Sequence, residues 1–325
     1  MRFSVGFYQA GPVSEAIRRA QLVESLGFHG MWLNDAQCRW RDVYVTLAAV
    51  GAGTSRIVLG VSVTNPITRH LTVTASAMYT LDELTAGRAR MGISTGHASV
   101  RDIGKKPARM ADLTEAVQTL RELWSGREVL MNGVSSRLSY AEANPRSIPV
   151  YLAGSGPRSA KTAGEIADGI LLNVGAEPDY IRSALSSVQE GARAASRSLK
   201  DVRVAARIPA CISDDPNAKE YVRPQVGLVV LRKLPSDLDD NDLLAVEKIR
   251  QTYKPEEHLR PNAPYVGHVT DSLVEKFALA GRPEECLERL QGLAKTGIDE
   301  INLALIHPDA DNMLRTFAAR VLNRL

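Results

Sequence analysis

At 325 residues the chain holds roughly two average domains, or one α/β barrel of about 250 residues with added loops. Its 44% apolar and 24% charged composition excludes disordered, collagen-like and coiled-coil chains. With 40 basic against 37 acidic residues the net charge is +3, too balanced to suggest a nucleic-acid partner.

The chain enters an alternating strand pattern at once, beginning near Phe3. It has no signal-peptide core, and nowhere a run of about 18 apolar residues. Cys38, Cys211 and Cys286 are widely spaced and form neither a disulfide framework nor a CxxC metal motif. Together these features predict a cytoplasmic protein without membrane contact. Further strands are expected to begin near His29, Arg56, Arg88, Ile148, Gly169, Val202 and Glu300. Helical patterns separate them. Ile17, Ala20, Val23 and Leu26 form an apolar stripe closed by Gly27. Leu113, Val117, Leu120 and Trp124 step by four, three and four, as one helix face should. Met313, Phe317 and Val321 close the chain as a last helix.

Eight β-then-α units predict a single domain over 1–325, a TIM (β/α)8 barrel, with an open doubly wound sheet as the alternative. Two segments break the rhythm. Residues 126–147 read as a hairpin turning at Asn132-Gly133. Residues 211–270 mix prolines, charges and short helical patterns, as binding loops or lids do.

In such a barrel, chemistry sits where strands end. The segments there are rich in small and polar residues: Asn34 to Asp42, Gly60 to His70, Gly92 to Arg101, and Ala153 to Arg158. Gly154-Ser155-Gly156 before a helix starting near Pro157 suits a phosphate, because a helix N-terminus offers unpaired N–H groups and partial positive charge. The same tetrapeptide is also a common strand-to-helix loop. Tyr8, at the end of the first strand, fits the pocket or the core equally. His29, His70, His258, His268 and His307 show no metal-ligand spacing, and no metal is expected.

VTNPITRH, ASAMYTLDELTAGRARMGISTG and KPARMADLTEAVQTLREL, followed by PVYLAGSGPRSAKTAGEIADGILL and AGRPEECLERLQGLAKTGIDEINL, resemble the bacterial-luciferase-like superfamily. The methylenetetrahydromethanopterin-reductase-like branch is the most similar. The resemblance spans nearly the whole chain apart from about 211–265. It implies a TIM barrel that binds FMN or the deazaflavin coenzyme F-420. In the deazaflavin-using relatives a non-prolyl cis peptide backs the ring, and the matching bond here is Ser62–Val63, next to Thr64. The resemblance also puts Thr95 and Gly96, and Ala153, Gly154, Ser155 and Gly156, against the cofactor.

Asp35 and Trp40 match positions facing cofactor and substrate. Asp35 could equally cap a helix or hold a loop. Ala36 stands where sugar-phosphate-oxidising relatives often carry His, which argues against that substrate. His97 stands where the family usually has Asp or Glu and is the expected proton donor or acceptor. The implied function is hydride transfer between coenzyme F-420, or FMN, and a small organic substrate. The alternatives are an FMN-dependent monooxygenase fed by a separate flavin reductase, and a non-catalytic flavin-binding protein. A homodimer through the helices after the second and third strands is the expected assembly.

Overall fold

Buried alternation in the first strand sets the architecture. In β1 (Arg2–Phe7) Phe3, Val5 and Phe7 pack outward into the main apolar core. Ser4 on the other face bonds to Glu300 and Asn302, and a side chain on Gly6 would strike Asn302 and approach Arg207. The computed structural model describes residues 1–232 and 238–325.

After β1 come α1 (Val13–Ser25), β2 (Gly30–Leu33), α2 (Val43–Ala52), β3 (Val58–Thr64), α3 (Leu71–Leu84), β4 (Ala89–Ile93), a short α4 (Ala98–Arg101) and α5 (Met110–Trp124). The hairpin follows as β5 (Val129–Met131) and β6 (Val134–Ser136), with Asn132 and Gly133 both at positive φ, as the tight turn requires. Then come β7 (Val150–Gly154), α6 (Pro157–Ile166), β8 (Gly169–Leu172), α7 (Pro178–Ala194) and β9 (Arg203–Ile212). α8 (Ala218–Val230), α9 (Asp240–Thr252) and α10 (Asp271–Phe277) lead to β10 (Leu279–Gly281), α11 (Pro283–Ala294), β11 (Glu300–Leu305) and α12 (Ala310–Arg320).

The strands pair in parallel in the order β11-β1-β2-β3-β4-β7-β8-β9, and β9 pairs back onto β11. The sheet therefore closes into an eight-stranded TIM barrel, and the open-sheet alternative is excluded. The interior is packed: Trp32, Tyr151, Leu171 and Ala205 meet across it from four different strands. Gly60 makes room for Trp32, since a Cβ there would lie 2.1 Å from the indole.

Two boundaries differ from expectation. β9 runs on to Ile212, so Cys211 and Ile212 end a strand rather than open the excursion. Pro209 is tolerated inside the strand because β8 stops opposite Ala206 and β10 starts opposite Ala210, so one flank of β9 lacks a partner at the proline. The three-residue β10 was missed because so short a run has no readable period.

The excursion is a helical cap with its own core, in which Val222, Val226, Val246, Ile249, Tyr265, Leu273 and Phe277 are buried. A polar knot ties it together. The buried Asp242 carboxylate accepts from Thr270 at 2.8 Å, Ser272 at 2.8 Å and Lys276 at 2.9 Å. Among the described residues no helix is long and apolar enough to cross a membrane.

Candidate active site

A cavity of about 470 Å³ opens at the C-terminal ends of the barrel strands, within the size range of small-molecule sites. Its walls come from the ends of β1 (Tyr8), β2 (Asn34, Asp35), β3 (Ser62, Val63), β4 (Ser94 to His97), β7 (Ala153 to Gly156) and β8 (Asn173). Arg207 of β9, and Gln225, Arg232 and His258 of the cap, complete it.

The β3 end carries the expected cis peptide at Ser62–Val63, and its pairing with β4 shifts register between Val61 and Thr64. Ser62 and Val63 line the cavity. Thr64 does not: its side chain is fully buried beside Tyr44. The Asn65 carboxamide oxygen accepts from the N–H groups of Ile67 and Thr68 at 2.9 and 3.0 Å and fixes the loop beyond.

Thr95 and Gly96 line the neighbouring wall. Gly96 has φ +95°, and a Cβ would fall 2.4 Å from Val100, so glycine is required there. At the β7 end, Gly156 caps α6 and Pro157 is its first residue. A Cβ on Gly154 would sit 2.3 Å from the Ser159 hydroxyl, which donates to the Gly156 carbonyl at 2.9 Å. Ala153, Gly154, Ser155 and Gly156 thus present backbone at a helix N-terminus, with no carboxylate among the lining residues on that wall. That donor set fits the phosphate of a cofactor.

Asp35 lines the cavity but is not a free carboxylate. Its side chain is 1% exposed and pairs with Arg69 at 2.7 Å. Arg69 also holds Asp42 at 2.8 Å and stacks over Tyr44. Asp42, not Asp35, caps α2, accepting from the Tyr44 and Val45 N–H groups at 3.0 Å. The Arg69 pair thus ties Asp35 to the loop after β3. Trp40 reaches the cavity and packs against Tyr8, ring centroids 5.5 Å apart. Gln225 of the cap donates to the Tyr8 hydroxyl, which places Tyr8 in the pocket and not in the core.

His97 stands at the mouth, its ring 6.0 Å from that of His258. Surrounding protein disfavours its charged form, and Arg232, Arg101 and Arg39 add repulsion, pushing its pKa down to about 4. Burial and the same kind of cationic crowding push His258 down to about 3. The Tyr253 hydroxyl lies 3.0 Å from His258 Nδ1. Arg39 grips Asp102 through two bonds, at 2.6 and 2.8 Å, and donates to the Pro255 carbonyl at 3.0 Å, joining barrel loop to cap. Both imidazoles are neutral at pH 7, ready to accept a proton or share a hydrogen bond rather than to act as cationic acids.

Sequence reasoning missed Arg207, Gln225, Arg232 and His258. Only Arg207 had a legible signal: it lies two residues from the inward-facing Ala205, so strand alternation sends it into the barrel. Among the described residues no cluster of three or more His, Cys, Asp or Glu side chains is placed to hold a metal.

The luciferase-like monooxygenase family matches residues 1–300. The chain is 30% identical over 312 residues to the 5,10-methylenetetrahydromethanopterin reductase of Methanolobus tindarius, covering 93% of each. It is 31% identical over 307 residues to the F-420-dependent glucose-6-phosphate dehydrogenase of Mycolicibacterium fortuitum, covering 88% of this chain and 86% of that one. The coenzyme F-420-dependent tetrahydromethanopterin reductase of Methanopyrus kandleri shares the fold, with a TM-score of 0.80 at 24% identity over 99% of both chains.

Proposed function

The chain belongs to the luciferase-like monooxygenase family, and from that premise we propose that it is an oxidoreductase transferring a hydride between coenzyme F-420 and a small organic substrate. One observation carries this reading: end-to-end similarity to F-420-dependent reductases and dehydrogenases coincides with a strand-end cavity whose β7 wall is a carboxylate-free helix N-terminus. The deazaflavin would supply the hydride chemistry when bound.

The protein's own residues do the rest. Gly154, Ser155 and Gly156 hold the phosphate through backbone N–H groups, and Ser62, Val63, Thr95, Gly96 and Ala153 shape the wall for the ring. Trp40 and Tyr8 exclude water beside the substrate. Asp35, locked by Arg69, keeps that loop in place. His97 takes or returns the substrate proton at an imidazole nitrogen, which its neutral state at pH 7 permits. Residues 1–325 act as one catalytic unit in this scheme.

Titration of the purified protein with coenzyme F-420 and with FMN, followed by fluorescence, tests the cofactor. Tight F-420 binding without oxygen consumption supports the reading; oxygen-dependent turnover of reduced FMN overturns it in favour of the monooxygenase, which would need a flavin reductase as partner. The family description favours that second reading. Gly156→Val should weaken F-420 binding by crowding the cradle, and unchanged affinity in a folded variant would remove the phosphate from this loop.

A homodimer in the cytoplasm is part of the proposal. Val45 on α2 is 65% exposed and Val73 on α3 is 56% exposed, large apolar side chains on the two helices expected to meet a second copy. A monomer in sedimentation at micromolar concentration would count against it.

A further inference from the structure

The cavity wall is electrically lopsided. Among the described residues three guanidinium groups line it, from Arg39, Arg207 and Arg232, against the single carboxylate of Asp35. Two internal pairs cancel: Arg39 with Asp102, and Asp35 with Arg69. Arg207 and Arg232 are left without a carboxylate partner among the described residues.

Arg207 is the more constrained of the two. It is half-buried in the barrel mouth, on the inward face of β9, and passes close to Gly6. Its Nε is shut away from solvent with no acceptor. Nη2 reaches the Asn34 carboxamide oxygen only at 3.5 Å. On its flank lies the Tyr8 ring, 5.8 Å from the guanidinium carbon, and Tyr8 is held by Gln225, itself 3% exposed. A guanidinium carries a rigid fork of donors and cannot shed its proton. Held in a half-dry pocket it normally faces an anion. None is provided among the described residues, and the fold leaves Arg207 on the Tyr8–Trp40 side of the cavity, separated from the β7 cradle by β8 in the sheet order.

We propose that Arg207 anchors an anionic oxygen group, a carboxylate or a phosphate, on the substrate, so that the enzyme acts on organic anions. This deepens the hydride-transfer reading and rests on it. Arg232, exposed at the mouth, adds to the field that draws such a substrate inward. The low pKa values of His97 and His258, both partly caused by Arg232, agree with an excess of positive charge in the same space.

The test is calorimetric titration of F-420-loaded protein with succinate and, separately, with inorganic phosphate, alongside F-420 titration by fluorescence. The variants are Arg207→Met, which keeps apolar bulk, and Arg207→Lys, which keeps the charge but not the fork; thermal unfolding of each verifies folding. Saturable binding of either anion, weakened about 10- to 100-fold by Arg207→Met and partly restored by Arg207→Lys, with F-420 affinity unchanged, supports the proposal. Whichever anion binds more tightly identifies the headgroup. Absence of binding by both anions, or binding indifferent to Arg207, overturns it. Loss of F-420 affinity in Arg207→Met with unchanged anion binding also overturns it, because Arg207 then serves the cofactor. Failure of the wild-type protein to bind F-420 at all, whatever the anions do, is the separate failure of the hydride-transfer reading.

Discussion

In the barrel, every strand is held by parallel pairing to its neighbours, and the cavity residues stand at strand ends whose positions the sheet register dictates. In the cap, Gln225, Arg232 and His258, none of them on a strand, reach the same cavity through the packing of α8 on β9 and on the turn around Tyr265. Two kinds of precision follow. The barrel fixes where Ser62, Val63, Ala153 to Gly156 and His97 line the cavity. The cap fixes what else the cavity holds, and it does so through side-chain bonds across the seam: Gln225 to Tyr8, and Arg39 to the Pro255 carbonyl. Barrel and cap, each with its own apolar core, therefore share the walls of one cavity.

The largest effect should come from the barrel side of the seam. His97→Gln keeps a polar side chain but removes titration, and should lower turnover roughly 10²- to 10⁴-fold, about 3–5 kcal/mol of barrier, with F-420 affinity within a few-fold. Because the His97 pKa lies near 4, wild-type turnover should hold as pH falls from 7 and drop only as pH approaches 4, where the imidazole becomes charged. Full activity in His97→Gln would reduce His97 to a shape-giving residue.

Next comes the barrel interior. Gly60→Val brings a side chain to 2.1 Å from the fully buried Trp32 ring, and the forced repacking should cost about 3 kcal/mol. Thermal unfolding measures it. A change within experimental error would mean that the barrel centre is looser than the Trp32–Tyr151 contact at 5.3 Å suggests.

In the cap, Asp242→Asn keeps the shape of the polar knot but loses the charge that Lys276 answers, and should cost about 1–3 kcal/mol. Hydrogen exchange should rise in 238–278 while the barrel strands stay protected. Uniform loss of protection would show that barrel and cap unfold as one unit.

The smallest expected effect is a slope. His29 and His258 are pushed down to about 4 and about 3, in both cases mainly by burial. In the unfolded chain each takes up a proton near the ordinary value of 6.5, whereas in the folded chain each stays neutral well below it. Unfolding therefore binds protons, and stability should decline as pH falls from about 6.5 towards 4. Denaturant midpoints across that range check the sign. His258→Gln should flatten part of the slope from the cap side, and His29→Gln part of it from the barrel side.

The sequence by itself determined the barrel. Alternating apolar runs, helix stripes stepping by three and four, and Gly or Pro punctuation are local patterns, and parallel strands joined by helices have few ways to close. All eight barrel strands and the Asn132-Gly133 turn were legible for that reason, as was the helix start at Pro157 behind Gly154-Ser155-Gly156, because such a junction depends on residues adjacent in the chain. Asp35 shows where this legibility stops: its place on the cavity wall follows from the strand, but its pairing with Arg69, 34 residues on, follows only from the fold. Thr64 was drawn into the site by adjacency and turned away from it by the bulge after Val61. Tertiary structure alone decided the cap, the meeting of His97 with His258, and the unpaired charge of Arg207. Charge balance in a cavity is set by which groups meet in space at low dielectric. Such meetings join residues far apart in the chain, as the hydrogen bond between Tyr8 and Gln225 does across 217 positions, and no local period along a chain records them.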